Sequence, residues 1–173
     1  MTQKNIISVD KNQMADALQN NLIKKTIWKN VGIVSGSLPL ISTLSVCENV
    51  MLPLQYFENM KRGQAESIAA SFLEKFGLGF AMHYKPKNIG DYDILIVKFL
   101  RAIMRSPQHI FFILPHNMIS TEKYGNFTEF AEYIENMEIT VVEHSRYMGE
   151  YSGTNFMEIP YERWQTLVLK TSK

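Results

Sequence analysis

The chain has 173 residues, a length that suits one domain around one core. Hydrophobic residues make up 46% and charged residues 20%, and 18 Lys and Arg against 17 Asp and Glu leave a formal net charge of +1. That is an ordinary globular balance, and no basic cluster with interleaved aromatics singles out nucleic acid as a partner.

In chain order, Ile6–Val9 is short, apolar and β-branched, which predicts a strand. A helical stretch follows, with Met14, Ala17, Leu18 and Leu22 on one face. Val31–Val34 predicts a second strand, ended by Ser35-Gly36-Ser37. Leu38–Leu54 is expected to be mostly loop and short helix, held by Pro39 and Pro53. Gln64–Phe76 is an amphipathic helix with Ala65, Ile68, Ala69, Phe72, Leu73 and Phe76 on its apolar face, stopped by Gly77. His83–Asp93 is polar and irregular. A buried helix is expected over Ile94–Arg105, and Pro107 ends that region. His109–Ile113 is a continuous apolar run, typical of a strand covered on both faces of a parallel sheet. Asn126 is placed to cap a helix with Glu129, and Phe127, Phe130, Ala131 and Ile134 form its inner face. Ile139–Val142 is another β-branched strand. Strands alternating with helices predict an α/β fold with a parallel sheet flanked by helices, in one domain over residues 1–173.

The single cysteine, Cys47, cannot close an internal disulfide and fits a reducing compartment. No signal peptide is visible, and the most apolar run, Ile110–Leu114, is too short to cross a bilayer. The expectation is a cytoplasmic protein that reaches a membrane only through a partner.

Three fragments carry a resemblance. Gly32-Ile33-Val34 is followed after a loop by Leu44-Ser45-Val46-Cys47-Glu48-Asn49-Val50-Met51-Leu52-Pro53-Leu54. Phe76-Gly77-Leu78 closes a helix. Arg101-Ala102-Ile103-Met104-Arg105-Ser106-Pro107 then precedes an apolar strand and Pro115. In this order and spacing they resemble the ATP-binding cassette (ABC) ATPases, over about Gly32 to His144. The family reads "T-V-x-x-N-V-x-x-P-L", "v-G-L" and "A-R-A-(L/I)-x-x-x-P", and the last is followed by "D-E-P". The "E-N-V-x-L-P-L" wording is most similar to ATPases serving lipid, lipoprotein and cell-division permeases. The resemblance implies a P-loop NTPase-like sheet. The N-terminal part is too short for the family's antiparallel β subdomain.

The departures fall on the chemistry that the family implies. Such enzymes hold phosphates with backbone N–H groups and a lysine. Here Asp10–Ala17 occupies the strand-to-helix turn without a glycine, and Asp16 falls where the lysine should be. The loop glutamine corresponds to Gly36. The signature "L-S-G-G-Q" corresponds to Ile89, Gly90, Asp91, Tyr92 and Asp93. The metal-binding acid and catalytic base correspond to Ile113 and Leu114. Only the switch histidine has a counterpart, His144. The resemblance therefore implies a non-catalytic subunit with no expected cofactor and low nucleotide affinity. Its partner would be a permease, an active ABC ATPase or a second copy. The rivals are a divergent active ATP-binding subunit with weak ATP and Mg²⁺ binding, and a stand-alone soluble regulator.

Several residues read two ways. Leu44, Val46, Glu48, Asn49, Val50, Leu52, Pro53 and Leu54 either dock a permease helix, their segment's role in the family, or build the core. His144 is a relic of the switch or an ordinary polar residue at a strand end. Cys47 with Glu143 and His144 would make a thiol nucleophile and base only if the fold joined them. His83, His109, His116 and His144 match no metal spacing, and no metal is expected. Asp91, Asp93 and Glu48 form an acid–base set or are solvated and capping acids. Tyr161, Trp164, Leu167, Val168 and Leu169, in the Pro160–Lys173 tail, would add an edge strand, bind a partner, or pack on the domain.

Overall fold

A computed structural model describes residues 3–24 and 30–163. Strands β1 (Lys4–Val9), β2 (Val31–Ser35), β3 (His109–Ile113), β4 (Glu138–His144) and β5 (Met157–Glu158) form one sheet in the order β2-β3-β4-β1-β5. Every pairing is parallel. Helix α1 (Asn12–Lys24) covers one face, and α2 (Val46–Phe57), α3 (Arg62–Lys75), α4 (Asp91–Ile103) and α5 (Tyr124–Tyr133) build the other side. The expected α/β architecture, a P-loop NTPase-like parallel sheet flanked by helices, is what the chain adopts. Among the described residues no strand pair is antiparallel.

The period-2 pattern of each strand sorts its side chains between two apolar layers. Ile6, Ile110, Phe112, Ile139 and Val141 face the α2–α5 layer. Ile7, Val9, Phe111, Ile113 and Val142 face the α1 layer. Both layers exclude water, which explains why β3 reads as an unbroken apolar run. At Gly32 the chains approach closely: a Cβ there would lie 2.5 Å from Ile110 Cδ1 and 3.3 Å from the Ala102 carbonyl oxygen. Gly77, at φ +73°, ends α3 as expected.

Other expectations need correction. On α1 the buried residues are Ala15, Leu18, Gln19 and Leu22, and Ala17 is exposed. The segment expected to be mostly loop contains α2, twelve residues long, with Pro53 inside it. A capping box starts this helix: Glu48 N donates to Ser45 Oγ at 3.1 Å, and Ser45 N donates to Glu48 Oε2 at 2.8 Å. Seven residues of helix precede Pro53, so its missing N–H removes one bond from an already nucleated helix. Helix α4 begins at Asp91, three residues before the expected start. Asn126 lies inside α5 and does not cap it. The edge strand lies just before the tail: Ile159 N donates to Ile6 O at 2.8 Å, and Tyr161 packs against the α1 layer. Trp164, Leu167, Val168 and Leu169 lie outside the described residues. Among the described residues, no helix is long and apolar enough to cross a membrane.

Candidate functional site

Parallel sheets present their loops at the carboxyl ends of the strands, where ligands of open α/β folds bind. Here β1 passes to α1 through Asp10 and Lys11 alone. Asp16 lies one turn inside α1 on its exposed side, not on the turn itself. The register sets Val9 beside His144 at the end of β4. His144 Nε2 meets Asn12 Oδ1 at 3.1 Å, so the switch-histidine counterpart stands over the start of α1.

At the end of β3 the expected metal-acid and base positions hold Ile113 and Leu114, 3% and 6% exposed. Both belong to one buried cluster with Val9, Ala15, Leu18 and Val142. Leu114 has a left-handed backbone, φ 48° and ψ 60°, and its N–H donates to Val142 O at 2.8 Å. Gly36 is exposed, and a Cβ built there would meet only Met118 Cγ, at 3.7 Å.

The signature counterpart is the start of a helix. Gly90 is the N-cap of α4, and Asp91 and Asp93 lie in its first turn, where carboxylates meet free N–H groups. Asp91 Oδ1 accepts from Tyr92 N at 2.7 Å and from Lys123 Nζ at 2.9 Å, and Oδ2 accepts from Ser120 N at 2.7 Å. The Lys123 hydrogen bond, with these N–H bonds, holds the Asp91 carboxyl down to about 2. Tyr92 Oη donates to Asn126 O at 3.2 Å, so the signature segment is tied to α5 and the turn before it.

The docking segment divides. Val46, Asn49, Val50 and Leu54 are buried, because the α2 face carrying them builds the core. Leu44, Glu48, Leu52 and Pro53 are half-buried. Exposed aromatics flank them: Tyr56 and Phe57 at one end of α2, and Phe80 and Tyr84 near the other, where Tyr84 O accepts from Val46 N at 2.9 Å.

The remaining candidates lie apart. Glu48 accepts from Arg62 at 3.0 Å and Asp91 from Lys123 at 2.9 Å, so these two acids have separate partners. The buried Cys47 thiol donates to Glu66 O at 3.9 Å, and burial pushes its pKa up. His83 is exposed, and His109 Nε2 pairs with Thr140 Oγ1 at 2.8 Å. Among the described residues no three His, Cys, Asp or Glu could hold a metal.

Glu143 goes elsewhere. It is fully buried, and its carboxylate contacts His116 Nδ1, the Tyr124 hydroxyl and His144 N. Tyr124 and Tyr151 share a 2.7 Å hydroxyl contact. Burial pushes Glu143 up to about 7, against its hydrogen bonds, and the same cause pushes His116 down to about 4. His116 Nε2 is buried with no hydrogen-bond partner among the described residues. This cluster was legible in part. Ile139, Val141 and Glu143 share one face of a strand, which places an acid in the core layer.

The chain has the ABC ATPase fold. Its structure matches that of the ATP-binding cassette MJ0796, in a dimeric post-hydrolysis state bound to ADP and Pi. The TM-score is 0.64 at 17% identity, over 83% of this chain and 75% of that one. In sequence it resembles ABC ATP-binding subunits, the lipoprotein-release type included. It is 30% identical over 90 residues to the lipoprotein-releasing system ATP-binding protein LolD of Hydrogenovibrio crunogenus, covering 52% of this chain and 35% of LolD. It is 26% identical over 144 residues to the macrolide export ATP-binding/permease protein MacB of Aggregatibacter actinomycetemcomitans, covering 82% of this chain and 22% of MacB. The matches thus span about a third and about a fifth of these relatives' own lengths. No family model matches the chain.

Proposed function

We propose that this chain is a non-catalytic ABC-ATPase-like subunit of a transporter complex. It acts by binding another protein: a membrane permease, an active ABC ATPase or a second copy of itself. The observation that carries this reading is the packing of Ile113 and Leu114 into the α1 layer beside the β1–α1 turn.

A bound Mg-nucleotide needs a cradle of backbone N–H groups, a cation on the phosphates and an acid on the metal. The residues here do not fit that group. Two residues between β1 and α1 are too few to wrap a phosphate. The nearby strand end offers aliphatic side chains in place of metal-binding oxygens. Asp91 brings negative charge to the α4 N-terminus, which would repel a phosphate there. At Gly36 a side chain would fit, so the missing glutamine is a matter of composition rather than space.

The binding surface is the rim of α2. Leu44, Glu48, Leu52 and Pro53 line it, with exposed Phe80, Tyr84, Tyr56 and Phe57 beside them. Aromatics at 47–80% exposure are the side chains that interfaces use as anchors. MacB is named as an ATP-binding/permease protein and MJ0796 was seen as a dimer, which supports a permease or a second subunit as the partner. A location at a membrane follows only through that partner.

The test is a melting titration with MgATP. A nucleotide that binds must raise the melting temperature by mass action. No shift is expected up to millimolar nucleotide; a saturable rise in the micromolar range overturns the reading. Copurification of a permease or an active ATPase supports the proposed role.

A further inference from the structure

We propose that the cavity between the β2 edge and the C-terminal ends of α1, α2 and α4 binds a single-chain amphiphile with a carboxylate head. Its volume is about 270 Å³. That is smaller than most drug-sized pockets, so it fits a fatty acid of about eight to ten carbons.

The walls are Leu22, Val31, Ile33, Leu38, Pro53 and Phe57. Among the described residues β2 is the last strand on its side of the sheet, and its Val31, Gly32 and Ile33 line the cavity. Gly32 and Ala102, the smallest lining residues, hold β2 and α4 close without filling the space. An alkyl chain would cover Val31, Ile33, Leu38 and Pro53, which are half-buried, and Phe57, which is exposed.

The charges choose the head group. Among the described residues, the charged ones lining the cavity are Arg101 and Arg105. Arg101 donates to Pro39 O at 2.9 Å and to Leu38 O at 3.1 Å, which fixes its guanidinium at the rim. The Arg105 guanidinium lies 4.0 Å over the Phe57 ring. Among the described residues neither has a carboxylate partner. Two cations beside apolar walls complement an anion carried on a hydrocarbon chain. A guanidinium grips a carboxylate through two parallel hydrogen bonds. A purely apolar peptide would strip water from both cations without replacing it, and a free anion would leave the walls wet.

The experiment is calorimetric titration of the full chain with decanoate, octanoate, decanol, decyltrimethylammonium, acetate and inorganic phosphate, each below any micelle-forming concentration. Decanoate should bind one to one. Octanoate should bind roughly sixteenfold more weakly, at roughly fourfold per methylene. Decanol should bind at least about tenfold more weakly than decanoate, since it lacks the charge that pairs with guanidinium. The other three should not bind. Arg105→Gln should weaken decanoate about tenfold and leave decanol unchanged. Ile33→Phe, which fills the cavity from the edge strand, should block both. If Ile33→Phe fails to fold, Arg105→Gln decides alone, with decanol reporting the intact cavity. Equal binding of decanol and decanoate overturns the proposal, as does binding of phosphate or acetate at decanoate strength. So does a chain that is dimeric without ligand and becomes monomeric on Arg105→Gln, because the cavity is then a protein interface.

Discussion

His116 Nδ1 meets a carboxylate oxygen of Glu143 where β4 ends, and Tyr124, Tyr147 and Tyr151 surround the pair. Burial raises Glu143 from 4.5 to about 7 and lowers His116 from 6.5 to about 4. These shifts act in opposite directions on stability. The raised Glu143 contributes stability that is full below 4.5 and lost as pH rises through about 7. The lowered His116 contributes stability present above 6.5 and lost as pH falls through about 4. Between 4.5 and 6.5 the pair holds one proton whether folded or unfolded, so the two slopes cancel. Removing one partner should expose the other. Glu143→Gln should make stability rise with pH by about 1.4 kcal/mol per unit, and His116→Gln should make it fall by a similar amount. Urea midpoints at several pH values between 4.5 and 6.5 check this. Slopes of the same sign in both variants would refute it.

Asn49 is a structural hub rather than a docking residue. Its Oδ1 accepts from Ile41 N at 2.7 Å, and its Nδ2 donates to Ile41 O at 3.0 Å and Ser45 O at 2.9 Å. The side chain thus replaces a ladder for the loop before α2. Asn49→Ala should cost about 2–3 kcal/mol, because buried backbone groups lose their partners. Asn49→Asp should cost more, since a carboxylate would face carbonyl oxygens. Chemical denaturation distinguishes these outcomes, and an Asn49→Asp protein as stable as the parent would contradict the role.

Restoring an acid at the end of β3 should not restore an enzyme. Ile113 is 3% exposed among aliphatic neighbours, so Ile113→Asp buries a carboxyl with no cation in its cluster. The expected loss is about 3–5 kcal/mol, with no gain in nucleotide turnover. Denaturation curves and a phosphate-release assay report the two separately. Nucleotide-dependent stabilisation of the variant would mean that the aliphatic packing is a shallow adaptation of a working site.

The strands were legible because each signal was local: β-branched runs at Ile6–Val9, Val31–Val34 and Ile139–Val142 stand within two residues of the observed strands. Helix α2 was hidden by Pro53, although Ser45 and Glu48 at capping-box spacing announced it. Asp91 and Asp93 read either as loop charges or as acids at a helix start, and they stand in the first turn of α4, where carboxylates are at home. The docking segment could not be divided from sequence, because the face carrying Val46, Asn49 and Val50 is settled only by packing on the sheet. The Glu143 cluster was legible only in the burial of its acid, and its other members were not. Its members come from β4, α5 and the turns after β3 and β4, and no spacing along the chain encodes that meeting.

Asp91 offers a test of the opposite sign to Glu143. Its carboxyl is held down from 3.8 to about 2, first by Lys123 and then by the Ser120 and Tyr92 N–H groups. A depressed carboxylate contributes stability that is present above 3.8 and lost as pH falls through about 2. The side chain is 35% exposed and Lys123 44%, so solvent screens the pair and the contribution at neutral pH is about 0.5–1 kcal/mol. Asp91→Asn should lose that amount at pH 7, and the difference from the parent should shrink in about 1 M salt. It should also vanish near pH 2, where the parent carboxyl is half protonated or more. Paired denaturation curves at the two pH values measure this. A salt-independent loss of several kcal/mol would instead mean that Asp91 acts through the N–H groups of Tyr92 and Ser120, with Lys123 a bystander.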